Sequence, residues 1–481
     1  MHWTHGCRLL SVTKVSEQAA TDPGHRRVLI ALVAIGMTTF VQLYYPQALI
    51  PAISRDFAID ASQAALTVSG ATIGLAVAAL GWSWIADRIG RARAMTIAIV
   101  AAAVIGLVLP LVTSFPVLIL LRVTQGIALG GTPALALAYL SEQVSRRDAM
   151  AAGATYISGT VVGGLVGRLI AAPIADVSDW RVAALVAGCV SALGAAIAVT
   201  TLPREGPRTA KLRPRPIGVW PGMVANLTNP GQLALYAQAF FLMGAQVAVF
   251  NYLGYRLELE PFDLPPALTA AIFLAGLSGA VSARLAATLA DRFGRRRVLL
   301  ASSLTMVAGA ASTIPDRLPS VLIGLLLFIT AYFSAHSIAS GWVGPMATTG
   351  IAQATSLYTL FYYAGSSLFG WLGGLAFAAG WTGTASMVIA ITLIAFAAAR
   401  TLPHPRHGQR TGSRWRRHAD LLGSSELLAD EKHDEDECDD QAGKERGCDD
   451  EAEQPFRHRR RQRRGLGHGR NGSRSAGSRL Q

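Results

Sequence analysis

Apolar blocks of about twenty residues recur along roughly the first 400 positions of this 481-residue chain, and most charged residues fall between them. A helix needs about 20 apolar residues to cross the ~30 Å hydrocarbon core of a bilayer. The blocks therefore predict twelve transmembrane helices. The predicted spans are residues 28–53, 63–85, 94–112, 116–140, 151–173, 182–201, 231–255, 268–290, 298–314, 319–342, 355–379 and 382–400. A large soluble protein with a buried helical core is the alternative, and so many charge-free blocks argue against it.

Basic residues are distributed unevenly among the predicted loops. The basic loops contain Arg26 and Arg27, Arg88 to Arg93, Arg146 and Arg147, Arg204 to Arg215, and Arg292 to Arg297. All of these loops fall on one side of the predicted bilayer, and the positive-inside rule places that side in the cytoplasm. We therefore expect a multi-pass protein of the bacterial inner membrane with both termini cytoplasmic. The net charge of +13 then reflects basic cytoplasmic loops and not contacts with nucleic acid.

The sequence repeats itself at an interval of about two hundred residues. The string Asp87–Arg91 follows the second span and Asp291–Arg295 follows the eighth, at a spacing of 291 − 87 = 204. Glycines repeat in a similar register on the fifth and eleventh spans, which indicates an internal duplication. The predicted organisation is a cytoplasmic N-terminal segment (1–27), a six-helix bundle (28–202), a cytoplasmic linker (203–230), a second six-helix bundle (231–402) and a charged, disordered cytoplasmic tail (403–481).

No pattern for catalysis, metal binding or a cofactor is visible. The chain lacks Walker A, H-E-x-x-H and G-x-S-x-G strings, and its four cysteines form no C-x-x-C pair. His433, Cys438, Cys448 and His458 in the tail have neither the spacing nor the surroundings of a zinc site. We expect no enzyme activity, no cofactor and no metal. The arginine block 457–464 either contacts anionic lipid or belongs to a solvated tail, and the second interpretation is favoured.

The repeated loop resembles the G-x-x-x-D-R-x-G-R-R motif of the major facilitator superfamily. Its residues are Asp87, Arg88, Gly90 and Arg91 in the first copy and Asp291, Arg292, Gly294 and Arg295 in the second. Gly90 permits a tight turn, and Asp87 can pair with arginines or cap a neighbouring helix. Such contacts can favour one conformation of a transporter, so we interpret these eight residues as a gating motif. Ser83 and Ala287 stand where the motif begins with glycine.

Strings 250–257, 333–344 and 357–367 are similar to arabinose-efflux-permease-like inner-membrane transport proteins in the drug/proton antiporter branch of that superfamily. The resemblance covers about residues 28–403. It implies an all-α membrane protein with twelve helices in two pseudo-symmetric six-helix bundles. It also implies a midplane site between the bundles, lined by the first, fourth, seventh and tenth spans.

Arg122 and Arg168 lie within predicted spans, where a charge requires a functional or structural reason. Arg122 belongs to a string that resembles the family's R-x-x-q-G pattern, and an arginine that extends to the lipid interface is the alternative. Arg168 ends a string that resembles the antiporter motif G-x-x-x-G-P-x-x-G-G, with Gly164 in place of proline and Arg168 in place of the last glycine. Close helix packing with no meaning for antiport is the alternative for that string.

The pathway implied by the resemblance contains polar and aromatic side chains suited to an amphipathic small molecule. These are Gln42, Tyr44, Tyr45, Arg122, Arg168, Asn251, Tyr252, His336 and Ser337. Interfacial anchoring is the alternative for the tyrosines near span ends. We expect a secondary transporter that exports a drug-like compound, sugar or amphipathic metabolite by alternating access. A non-transporting receptor or scaffold, or a facilitator or importer on the same fold, is the alternative.

Proton coupling is implied by the resemblance, but no Asp or Glu lies well within any predicted span. Glu142 and Asp176 stand at span ends, so His336 is the best placed group to carry a proton. A neutral, hydrogen-bonded His336 that only shapes the cavity is the alternative.

Overall fold

Twelve helical segments form the part of the chain that the computed structural model describes, which is residues 23–143, 149–203 and 219–403. The segments are α1 (Pro23–Tyr44), α2 (Ala61–Ile89), α3 (Arg91–Val108), α4 (Phe115–Leu129 and Pro133–Gln143), α5 (Ala149–Val177), α6 (Trp180–Thr201), α7 (Pro230–Glu258), α8 (Pro266–Thr269, the 3₁₀ stretch Ala270–Leu277 and Ser278–Phe293), α9 (Arg295–Ser312), α10 (Leu318–Met346), α11 (Ile351–Phe377) and α12 (Gly380–Arg400). They confirm the predicted all-α architecture. Most of the predicted N-terminal segment, most of the linker and nearly all of the tail, including its arginine block and its histidines and cysteines, lie outside the described residues.

Nine helices among the described residues are long and apolar enough to cross a bilayer. Of the other three segments, α4 is interrupted after Leu129, and its first part is a shorter apolar helix. Segments α9 and α11 are long enough but contain more polar residues. Polar residues on these two segments can pack against neighbouring helices and avoid lipid.

Apart from shifts of a few residues at segment ends and the interruption of α4, the structure departs from the prediction in the first span and in the linker. The first span is not one helix to residue 53, because α1 ends at Tyr44 and is followed by a 3₁₀ turn, Tyr45–Ala48, and a short helix, Ile50–Phe57. Prolines at 46 and 51 lack the N–H that a continuous helix requires, which explains the break. The predicted linker also contains a helix, Val219–Leu227, whose Asn226 donates to backbone carbonyls just before α11.

Glycines bring equivalent helices together in the two halves. Gly159 and Gly167 on α5 face α1, and a Cβ atom at Gly159 would lie 3.1 Å from the backbone of Val33. Gly365 and Gly373 on α11 face α7 in the same way. Small residues let helices approach closely in lipid. The glycines repeated between α5 and α11 therefore pack each helix against the first helix of its own half.

The repeated loop has the same backbone conformation in both halves. Gly90 has φ 95° and ψ 148°, and Gly294 has φ 89° and ψ 140°. Side chains other than hydrogen are strongly disfavoured in this region. We call the end of the bundle that carries these loops the basic end, because Arg88, Arg91 and Arg292 lie there, and the opposite end the far end.

The far end of α2 begins with a well-formed cap. Asp60 accepts hydrogen bonds from the Ser62 hydroxyl and the Gln63 backbone N–H, and the Gln63 side chain accepts from the Asp60 N–H. The bond from Ser62, followed by that from Gln63, lowers the pKa of the Asp60 carboxyl from its ordinary value. This cap fixes where the helix leaves the loop.

The two halves contact each other toward the far end. Among the described residues, the hydrogen bonds and ion pairs between halves are Gln47 Nε2 to Asn251 Oδ1 at 2.8 Å, Tyr255 Oη to Ile50 O at 3.2 Å, Ser367 Oγ to Ser69 O at 2.7 Å, and Arg55 to Glu258 at 3.5 Å. Each lies in the part of its helix nearer the far end, or in the adjoining loop. The halves are therefore joined at the far end in this conformation.

Candidate functional site

Four aromatic side chains from α10 and α11 form a connected group, which we call the aromatic cluster: Tyr332, His336, Tyr358 and Tyr362. The i, i+4 spacing within each helix places both members of a pair on one face. The rings of Tyr332 and His336 are stacked with centroids 5.8 Å apart, and those of His336 and Tyr362 are 4.9 Å apart. Tyr358 Oη lies 3.1 Å from His336 Nδ1, and the Tyr332 and Tyr362 hydroxyls are 3.1 Å apart.

The aromatic cluster lies near the middle of the bundle and is partly open. His336 is 336 − 318 = 18 residues from the far-end start of α10 and 346 − 336 = 10 residues from its other end. Tyr332 and Tyr358 are buried, whereas His336 and Tyr362 are half-buried. The cluster therefore offers ring faces and hydroxyl groups to a molecule at this depth.

Arg168 on α5 lies closer to the far end, against both halves. Its Nε donates to Gln47 Oε1 at 2.8 Å, its Nη2 also donates to Gln47 Oε1, and its Nη1 donates to the Gly164 carbonyl at 2.7 Å. Its guanidinium lies 4.7 Å from the ring centroid of Tyr44 in its own half, and 5.5 and 5.0 Å from those of Phe250 and Phe273 in the other half. A cation over three aromatic rings is stabilised without a carboxylate.

Arg168, Gln47 and Asn251 form one polar chain across the two halves. The Gln47 amide oxygen accepts from Arg168, and its amide nitrogen donates to Asn251. Asn251 Nδ2 is buried with no hydrogen-bond partner among the described residues. An unused buried donor at this position is available to a ligand or a water molecule.

Arg122 is held entirely within the first half. It is 1% exposed, and it donates to the carbonyls of Thr67 at 2.6 Å, Gln42 at 2.9 Å and Leu43 at 3.1 Å, and to Gln125 Oε1. The helix cannot supply a partner for the Gln42 carbonyl, because the residue four positions on is a proline. Arg122 therefore joins α1, α2 and α4, and the alternative of a side chain extended to the interface is wrong.

The other predicted pathway residues are not all brought to this site. Gln42 packs against Gly106 of α3 and binds Gln125, and Tyr45 lies in an apolar group with Leu49 inside the first half. The Tyr252 hydroxyl donates to the Gly370 carbonyl at 2.6 Å near the far end. Ser337 is half-buried next to His336. Tyr44, Arg168 and Asn251 thus remain at the interface between the halves, whereas His336 and Ser337 lie within the second half.

The repeated motif lies at the basic end. The Asp87 and Asp291 side chains are exposed, and neither makes a hydrogen bond or ion pair with a described residue. Arg91 Nη1 donates to the Ala138 carbonyl on α4 at 2.9 Å, and the Arg88 guanidinium lies 3.5 Å from the Trp84 ring. The expected pairing of Asp87 is therefore not present among the described residues in this conformation.

Sequence reasoning missed Tyr332, Tyr358, Tyr362 and Gln47 as site residues. The i, i+4 spacing of the aromatic residues in strings 333–344 and 357–367, extended by one residue to Tyr332, was a usable signal. Gln47 offered no such signal, because it follows the end of α1 at Tyr44, which the hydropathy pattern did not locate.

The sequence profile of the Major Facilitator Superfamily matches residues 28–350. The chain belongs to the major facilitator superfamily. It is therefore a multi-pass membrane transport protein and not an enzyme, and it has the major facilitator fold that the sequence predicts.

Curated members of this superfamily resemble the chain over most of its length. The uncharacterised MFS-type transporter YybF of Bacillus subtilis is 34% identical over 375 residues, which cover 78% of this chain and 92% of YybF. The inner membrane transport protein YnfM of Escherichia coli is 34% identical over 375 residues, 78% of this chain and 89% of YnfM.

Solved structures share the fold. A bacterial homologue of the human lysosomal transporter Spinster, in an inward-facing and unoccupied conformation, aligns with a TM-score of 0.64 at 17% identity over 79% of this chain and 98% of its own. A D-xylose–proton symporter aligns with a TM-score of 0.62 at 16% identity over 78% of this chain and 97% of its own.

Proposed function

We propose that this superfamily member is a secondary transporter that exports an amphipathic small molecule by alternating access. The observation that carries the proposal is the half-buried aromatic cluster at mid-depth of the second half, together with Arg168 between the halves. Among the described residues the two halves are joined only toward the far end. Half-buried rings and hydroxyls at mid-depth suit a drug-like compound or metabolite held by stacking and a few hydrogen bonds. A non-transporting receptor on the same fold has no feature among the described residues that favours it.

The basic end is proposed to face the cytoplasm, with both termini on that side, because positive loops are retained there. The bonds between halves at the far end then make this conformation inward-facing. The Spinster homologue with a similar fold is also described as inward-facing.

Labelling of single cysteines tests this orientation. A membrane-impermeant thiol reagent applied to intact cells should label a cysteine at Glu260, in the far-end loop, and spare one at Lys211, in the linker. In inverted vesicles the pattern should reverse. Labelling of both positions from the same side would contradict the proposed topology.

Asp87 is proposed to act in the opposite conformation. It is exposed here, and closure of the basic end would bring the loop that contains it toward the second half, where its charge can pair. We expect Asp87→Asn to reduce transport at least about tenfold while membrane insertion stays normal, because the closed basic end becomes less populated. Transport by the Asp87→Asn protein at the wild-type rate would exclude this role.

Proton coupling is proposed to run through His336. Among the described residues, no Asp or Glu is buried within the bundle, and His336 is a titratable group at mid-depth with a specific partner, Tyr358. Protonation of His336 would place a charge in the aromatic cluster and change its affinity for a substrate.

The test uses inverted vesicles with an imposed proton gradient and a panel of radiolabelled amphipathic compounds. Wild-type vesicles should accumulate at least one compound when their interior is acidic, and His336→Gln should lose this accumulation while binding the same compound. Accumulation retained by His336→Gln would rule out His336 as the carrier. Wild-type uptake that ignores the proton gradient would favour a facilitator or another coupling ion.

A further inference from the structure

The buried charged side chains in the described part of the bundle are all positively charged. The buried charged side chains among the described residues are Arg122, Arg168 and Arg256, and no buried Asp or Glu accompanies them. Arg256 pairs with Asp316 at 3.0 Å, and Arg122 donates four hydrogen bonds, to three backbone carbonyls and Gln125. Arg168 differs from Arg256 because it has no carboxylate partner among the described residues, and from Arg122 because it lies between the halves.

Arg168 also has donors to spare. A guanidinium has five N–H groups, and three of those of Arg168 are used, one each on Nε, Nη1 and Nη2. One N–H on each terminal nitrogen thus has no acceptor among the described residues. Asn251 Nδ2, on the residue that Gln47 links to Arg168, is a further buried donor without a partner.

Gly164 lies beside these donors, one helical turn before Arg168. A Cβ atom at Gly164 would lie 3.4 Å from Arg168 Nη1 and 3.8 Å from the Tyr44 ring, with no closer atom outside its own helix backbone and chain neighbours. These are ordinary contact distances, so no side chain of residue 164 separates the guanidinium from the Tyr44 ring.

We infer that the substrate carries an anionic group, a carboxylate on an aromatic or apolar body, and that Arg168 binds this group. The inference rests on the proposed function and names the substrate class of the same site. Arg168 has two N–H groups without an acceptor among the described residues, and a carboxylate can accept two parallel N–H bonds from a guanidinium. Asn251 Nδ2 is a further donor for the anion.

We expect one molecule to reach both parts of the site. The Arg168 guanidinium lies 4.7 Å from the Tyr44 ring centroid, and its charge acts on the hydroxyl of Tyr362. Tyr362 belongs to the aromatic cluster. A carboxylate on Arg168 therefore places an attached ring toward the half-buried faces of His336 and Tyr362.

The probes are 2-naphthoate and its neutral amide, 2-naphthamide, which have nearly the same shape. Binding of each to the full-length protein in lipid nanodiscs is measured by scintillation proximity up to about 1 mM. We expect the wild type to bind naphthoate at least about tenfold more tightly than naphthamide, since a hydrogen-bonded charge pair contributes about that much or more. Arg168→Gln should remove the preference, Arg168→Lys should retain part of it, and the exposed Arg400→Gln should leave it unchanged.

A second variant separates anion binding from closure of the far end. Gln47→Ala breaks the link from Arg168 to Asn251 but leaves the guanidinium in place and frees two of its N–H groups. Naphthoate binding to Gln47→Ala should be unchanged or tighter. A loss of naphthoate binding as large as that caused by Arg168→Gln would overturn the inference. The effect of Arg168 would then come from its hydrogen bonds to Gln47, which join the halves, and not from contact with the anion.

The remaining outcomes separate the inference from the proposed function. Equal binding of both probes to the wild type overturns the anionic class and leaves an aromatic-lined site for a neutral molecule. No binding of naphthoate to the wild type at any concentration tested also overturns the anionic class. Alternating access is a separate claim, which spin-label distances at the two ends of the protein test.

Discussion

Replacement of Arg122 by methionine is expected to destabilise the protein more than any other single change at its polar interior positions. The carbonyls of Gln42 and Leu43 and Gln125 Oε1 would lose the Arg122 donor, and the helix offers Gln42 no other because of Pro46. The Thr67 carbonyl keeps its bond within α2. A buried acceptor left without a partner costs about 1–3 kcal/mol, so the total should reach at least about 3 kcal/mol. The midpoint of thermal unfolding in detergent should then fall by roughly 4 °C or more.

Arg181→Met is the matched control for this loss. Arg181 pairs with Asp56 at 2.6 Å, but both side chains are partly exposed, so the pair should contribute at most about 1 kcal/mol. A midpoint for Arg122→Met as high as that of Arg181→Met would show that the network around Arg122 does not hold α1, α2 and α4 together.

Replacement of Gly374 by leucine is expected to open the far end. Gly374 lies directly against the backbone of Ser62, so that any side chain there would overlap α2 of the other half. Overpacking of this kind costs about 1–3 kcal/mol, which corresponds to a shift of about five- to 150-fold toward conformations in which the halves separate there.

The readout is a cysteine at Ala172, which is 2% exposed beside the far-end contacts, in a background without native cysteines. A membrane-impermeant thiol reagent added at the far end should label Ala172→Cys at least about fivefold faster when Gly374→Leu is present. Gly341→Leu is the control, because no atom lies within 4 Å of its added Cβ. Equal labelling rates in the Gly374 and Gly341 variants would show that contact between α2 and α11 does not keep the far end closed.

The fold was predictable because each helix that crosses the lipid core needs about 20 consecutive apolar residues. Twelve apolar blocks gave twelve segments, and the repeated glycines marked both the turns at Gly90 and Gly294 and the packing of α5 and α11. These features depend on local composition and spacing, which the sequence displays directly.

The site was predicted only in part, because the direction of a side chain depends on helix rotation and tilt. Gln42 looked like a pathway residue from its polarity at mid-span, but its side chain points to Gly106 in its own half. Tyr332 and Tyr362 meet through their hydroxyls only because α10 and α11 are adjacent, which hydropathy does not reveal. Arg168 was found because a charge within a span is rare, although its three aromatic neighbours come from three other helices.

Alternating access is tested most directly by distances between spin labels at the two ends of the protein in nanodiscs. One pair, at Leu111 and Ala379, spans the halves at the far end, and a second pair, at Arg93 and Ile351, spans them at the basic end. In the Gly374→Leu background, the far-end distance should lengthen and the basic-end distance should shorten, with populations that change together. A far-end distance that lengthens while the basic-end distribution stays as in the wild type, or no change at either end, would contradict transport by alternate opening of the two ends.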